Sequence, residues 1–148
     1  MACQKPCDFE DSDRDVLQKV YLQLTDKPNL HHFFPLAHLD KHPEQYKFRN
    51  DPNSLVNIVY LTMLENLRIS DKNPLNYILE FSGKNKNFDE VLKHHMLPSD
   101  ILAWAANKKT SWAVFDVFVE LRLDLIIKHI KEVMDPVRVK VIDSSEAE

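Results

Sequence analysis

Glycine is almost absent from this chain: Gly83 is the only one among 148 residues. Phosphate cradles, dinucleotide loops and tight hairpins rely on residues that tolerate positive φ, so their glycine-bearing forms are excluded, as are collagen-like and low-complexity architectures. The nucleophile elbow, the P-loop and the paired Cys-x-x-Cys motif are missing as well. Only two cysteines occur, Cys3 and Cys7. A bridge between them would close a tiny loop and constrain little, so they read as free thiols of an intracellular protein. No run approaches about 18 apolar residues, and Met1 to Glu10 has no apolar signal core, so neither a membrane span nor secretion is expected. Positive charge is in deficit, 19 Lys plus Arg against 23 Asp plus Glu for a net charge of −4. That is the wrong sign for a domain that gains affinity by neutralising phosphates, and nucleic acid is not the expected partner. The expected location is the cytoplasm, with the nucleus open as well.

What is present is an apolar content of 44%, enough for one domain with a core of its own. The eight prolines fall between stretches of helical periodicity. Ser12 caps an expected helix from Asp13 to Leu24, and Leu30 to Leu39 suggests a short helix around Pro35. His42 to Asn53 reads as a surface loop. Asn53 or Ser54 opens an apolar helix to Arg68 that is expected to be central, with Leu55, Leu61, Leu64 and Leu67 in the core. Asn73 followed by Pro74 starts another, which Gly83 stops in a left-handed turn. Two short helices follow, Phe88 to Met96 and Ile101 to Asn107. Thr110 or Ser111 opens the longest, ending near Met134 ahead of Pro136 and wet only along Asp116, Glu120, Asp124 and Lys128. The expectation is an all-α fold, a single compact bundle of six to seven helices over residues 12–136 with a long C-terminal helix. A flexible arm precedes it at residues 1–11. After it, Val137, Val139 and Val141 alternate like an extended arm suited to adding onto a partner, and an acidic disordered tail completes residues 137–148.

Candidate chemistry is sparse. His31, His32, His38 and His42 cluster in sequence, with His38 and His42 one helical turn apart, and they raise a metal reading beside the plainer one of solvated or capping histidines. No cofactor is expected. Paired carboxylates such as Asp116 and Glu120 read as solubility charges. Ser145, three residues before Glu148, sits in a pattern that acidophilic kinases accept. Arg122 and His129 lie two turns apart on one helix face, a spacing that resembles the Arg-x(4 to 6)-His signature of helical ribonucleases called HEPN domains. In that family a polar residue follows the arginine, and Leu123 stands there in this chain. The plainer reading is an arginine snorkelling at the edge of an apolar face.

A broader pattern runs from Leu22 to Lys108: Asp26-Lys-Pro-Asn-Leu30, Phe33-Phe34, Ala37-His-Leu39-Asp40, a capped apolar helix, Asn73-Pro74-Leu75 and Lys86-Asn87-Phe88-Asp89. It resembles the C-terminal helical domain of the RNA polymerase II-associated protein 3 family, known as spaghetti in insects. The resemblance implies a protein-binding adaptor in chaperone-assisted complex assembly, with the RuvB-like ATPases and chaperone machinery as partners. In the family, the docking helix has a basic residue before its Phe-Asp pair and apolar residues one and five positions after it. Asn87, Glu90 and His94 occupy those places here. The alternatives from other classes are a divergent HEPN-like ribonuclease using Arg122 and His129, and a helical host-interaction protein of a virus or pathogen.

Overall fold

The computed structural model describes residues 5–17, 28–42 and 47–145, with side chains as far as residue 134. Two strands and six α-helices follow in order: β1 (Pro28–His32), α1 (Leu36–Leu39), a 3-10 turn at Leu55–Asn57, β2 (Ile58–Thr62), α2 (Met63–Ile69), α3 (Pro74–Lys84), α4 (Phe88–His94), α5 (Asp100–Ala106) and α6 (Ser111–Ser145). The fold is mostly helical, but the strands pair antiparallel, Leu30 opposite Tyr60 and His32 opposite Ile58, so it is not purely all-α. No described helix is long and apolar enough to cross a membrane.

The 3-10 turn and β2 replace the first half of the helix expected from Asn53 to Arg68, α2 is its second half, and β1 takes residues 28–32, where a turn and the start of a short helix were expected; the residues around β2 explain why. Val56, Ile58, Val59 and Thr62 are β-branched and lose rotamer freedom in a helix, whereas a pleated strand accommodates them. Burial follows the period of two: Val59 and Leu61 are enclosed while Ile58 and Tyr60 are half-buried. Thr62 then ends the strand by opening α2 with a capping box, its hydroxyl accepting from the Glu65 amide while Glu65 accepts from the Thr62 amide. Leu55 and Leu67, expected in the core, are 76% and 67% exposed. Further along, Asn73 caps α3 and Pro74 occupies its first turn, as expected. Gly83 makes no left-handed stop; α3 passes through it, and Asn85 ends the helix in extended conformation.

Aromatic rings fill the core. Phe33 stacks on Phe118 at 5.0 Å, Phe34 meets Phe118 at 4.8 Å and Phe115 at 5.4 Å, and Tyr77 donates its hydroxyl to the Phe33 carbonyl. Such pairs add stabilisation beyond the area they bury, about 0.5–1.5 kcal/mol each. Asn57, fully enclosed, accepts from the Phe34 amide and donates to the Phe34 and Pro52 carbonyls, fixing the turn in front of β2.

Three termini and loops depart from expectation. Residues 5–11 are not a loose arm: Cys7 and Phe9 are buried, and the Phe9 ring sits edge-on to Phe81, Phe88 and His95. Burial pushes the Cys7 thiol up to about 12. Cys3 lies outside the described residues. Residues 12–17 form turns and a bridge from Asp15 to Cys7 in place of a helical start, and the remainder of that expected helix lies outside the described residues. At the other end, α6 continues to Ser145, so Val137, Val139 and Val141 belong to a helix and not to an extended arm. An alternating strand needs a neighbour to satisfy its backbone, whereas a helix already established from Ser111 extends by one internal bond per residue.

The strap at residues 7–9 docks on buried ionisable groups. The Phe9 amide donates to Glu65 at 2.6 Å, and His95 Nε2 faces the Cys7 carbonyl at 2.7 Å. Burial first, then the neighbouring Asp8, raises the Glu65 carboxyl well above the usual range, while burial lowers both His95 and His31 to about 4. The signs oppose. An unfolded histidine takes its proton near 6.5 and these take theirs near 4, so stability is complete above 6.5 and falls as pH drops towards 4, by about 1.4 kcal/mol per unit per histidine. Glu65 contributes fully below its ordinary value of 4.5 and less as pH rises through its raised one. Urea denaturation of Glu65→Gln should therefore show a steeper loss of stability from pH 7 to pH 5 than the unsubstituted chain. Equal slopes would mean that Glu65 is ionised in the fold.

Candidate functional site

The histidines do not converge. His31 is buried on β1; His32 Nε2 faces Asn53 Oδ1 at 2.9 Å; His38 Nε2 meets Ser111 Oγ at 2.7 Å with its ring stacked on Trp112; His42 Nδ1 faces the Leu39 carbonyl. No group of three or more metal-ligating side chains occurs among the described residues. The His38–Ser111 contact joins α1 to the first turn of α6, and burial lowers the His38 pKa, leaving a neutral ring to share the hydroxyl hydrogen bond.

Arg122 and His129 share a helix but not a cleft. Arg122 is 1% exposed and points into the body, where its guanidinium donates to the carbonyls of Val56, Ile58 (2.9 Å) and His95 (3.2 Å). Burial lowers its pKa to about 10, and no carboxylate among the described residues lies within ion-pair distance. Carbonyl oxygens take the place of a counter-ion. His129, half-buried two turns further along the same face, lines an open groove, and its Nε2 has no hydrogen-bond partner.

That groove has a volume of about 810 Å³. Its floor consists of Leu92, Met96, Leu97, Pro98, Leu121 and Leu125, from α4, the turn into α5, and α6. Met96 holds φ at 50°, a left-handed conformation that ends α4 sharply and lets Leu97 and Pro98 close the floor. Asp89, Asp100, Asp124 and Glu132 stand on the rim against two cations. Lys93 is engaged with Glu90 at 2.6 Å and Lys128 lies 3.9 Å from Glu132, while Asp89, Asp100 and Asp124 have no ion pair among the described residues. The rim is acidic over an apolar floor.

Of the residues expected to dock a partner, none whose side chain is described lines this groove. Asn87 precedes α4 with its amide on Asn85 Oδ1 at 2.9 Å, Glu90 is exposed and paired to Lys93, and His94 faces a separate small cavity of about 20 Å³ beside Arg122. For Val137, Val139, Val141 and Ser145 only the helical backbone is described. Asp116 and Glu120, read from sequence as solubility charges, are anchors: Asp116 accepts from the Arg49 and Asn50 amides at 2.9–3.1 Å, and Glu120 pairs with Arg49 at 3.0 Å. They hold residues 47–53 of the expected surface loop against α6, with Phe48 edge-on to Phe115; residues 43–46 lie outside the description.

No protein-family model, curated protein or solved structure matches this chain. The groove was missed in sequence because its floor is assembled from three elements. A trace was legible in Leu121 and Leu125, one turn apart and beside Asp124 and Lys128.

Removing the Arg122 side chain takes a donor from three carbonyls, that of His95 buried and those of Val56 and Ile58 partly so, a loss of about 1–3 kcal/mol for each one left without a partner. Arg122→Ala should destabilise the fold by about 3 kcal/mol or more in chemical denaturation, with Arg122→Lys intermediate because an ammonium lacks the planar fork. An unchanged midpoint in the alanine variant would show that this contact does not carry the fold.

Proposed function

We propose that this chain is a protein-binding module that receives a cationic amphipathic helix of its partner in the groove between α4, α5 and α6. The observation that carries the reading is the pairing of an apolar floor with carboxylates that have no internal counter-ion. Helix-in-groove recognition needs a floor for apolar anchors recurring every three or four residues, and a charged rim that sets orientation and excludes wrong partners. The volume, about 810 Å³, suits a few large side chains.

The more specific proposal follows the sequence resemblance: an adaptor in chaperone-assisted complex assembly, with the RuvB-like ATPases as partner. A cytoplasmic or nuclear setting goes with it. Asn87 and Glu90 at the entrance of α4 would meet that partner beside the groove, in place of the basic and apolar residues of the resembling family.

Calorimetric titration of the purified RuvB-like ATPases with the full chain tests this directly. Micromolar binding is expected, weakened about tenfold or more by Leu125→Asp, which places a charge on the floor at a position already 37% exposed. Absence of binding defeats the ATPase assignment, and binding indifferent to Leu125→Asp defeats the groove.

A further inference from the structure

Another cavity, of about 520 Å³, opens between α1, α3, the end of α5 and the start of α6. Its size falls within the range of small-molecule sites, roughly 300–1,000 Å³. Part of the wall is apolar: Leu75 and Leu79 of α3, Ala105 of α5, and the ring of Trp112, which stacks on His38 at 6.0 Å and 12°. The rest is polar, and its formal charge has one sign. Lys108 and Lys109 line the cavity and no carboxylate does.

That wall runs against the chain as a whole, whose net charge is −4. Neither lysine has an ion pair among the described residues, in contrast to Lys41, Lys84 and Lys93. No carboxylate just outside cancels them either, because Asp71, whose charge reaches His38, is already taken by Lys41 at 2.6 Å. The backbone that carries the two cations is fixed. At the end of α5 the Lys109 amide donates to the Trp104 carbonyl at 3.0 Å and the Lys108 amide to that of Ala105 at 3.1 Å, with Lys108 in the left-handed region at φ 51°. The turn leads straight into Ser111, whose hydroxyl is bonded to His38.

We infer that this cavity binds a small organic anion, an apolar or aromatic body bearing one carboxylate or phosphate group. The body covers Leu75, Leu79 and the Trp112 ring, and the anionic group meets Lys108 and Lys109. Trp112 also has an indole N–H without an acceptor among the described residues. The alternatives fit the wall less well. A neutral ligand leaves both lysines unopposed, a cation meets like charge, and inorganic phosphate leaves the apolar part of the wall wet.

This inference does not rest on the groove reading. The two linings share no residue, and the rim of the groove is acidic where this wall is basic. Failure of either reading leaves the other standing.

Fluorescence titration of the full chain with anilinonaphthalene sulfonate, an aromatic anion whose emission rises when it leaves water, tests the site. One molecule per chain should bind in the micromolar range and be displaced by phenyl phosphate or by benzoate, the better competitor identifying the anionic group. Lys108→Glu combined with Lys109→Glu should weaken binding about tenfold or more, with helix content unchanged by circular dichroism, while Leu125→Asp in the groove leaves it unaltered. The uncharged phenylnaphthylamine should not distinguish the double variant from the unsubstituted chain. Absence of sulfonate binding, a double variant that binds as tightly as the unsubstituted chain, or a bound probe that neither competitor displaces would each overturn the inference.

Discussion

One guanidinium holds the parts of this fold in register. Arg122 enters the body where the 3-10 turn runs into β2 and where α4 ends, and its donors join the carbonyls of Val56, Ile58 and His95 across 27 to 66 residues of sequence. Desolvating a charge is costly, and here no carboxylate offsets it. Three carbonyl dipoles do so instead, and each gains a partner that a buried turn could not have found in solvent. The planar fork suits this task because it reaches several acceptors from one stem. The position of Arg122 also sets how α6 is used: among the described side chains it is the last fully buried one of that helix, and Leu123, Ile127, Ile130, Val133 and Met134 after it are exposed.

From this division α6 acquires two roles. Its first three turns complete an aromatic core and, through Asp116 and Glu120, pin the segment around Phe48. Its remainder leaves the body with too much apolar surface for a solvated helix. On one side that surface meets α4 and α5 to make an acidic-rimmed groove, and on the other Leu123, Ile130 and Val133 are exposed. The reading of the chain as an interaction protein therefore rests on where its apolar side chains remain uncovered as well as on the sequence resemblance.

Local chemistry was legible and assembly was not. The Asn73-Pro74 start of α3, the short helices α4 and α5 and the opening of α6 follow from caps and periodicity within a few residues. The segment from Leu55 to Arg68 misled because its apolar residues fit a helix as well as a strand followed by a helix; the β-branched run and the Thr62-x-x-Glu65 box, both visible in the sequence, were the deciding marks. The burial of Phe9 was invisible because its pocket is built from Phe81, Phe88 and His95, more than seventy residues away. Arg122 and His129 looked alike by spacing, yet one faces carbonyls and the other a groove, a distinction that depends on what packs against the helix and not on the helix itself.

The docking of Phe9 bears on how the chain is made. Synthesis proceeds from the N-terminus, and the walls that receive this ring are complete only once His95 has been translated. The strap around Phe9 therefore waits, with an aromatic ring unsheltered, until the chain as far as His95 has left the ribosome. Closure across such a separation makes maturation of this domain a late event, completed after its middle helices have formed rather than growing outward from its beginning.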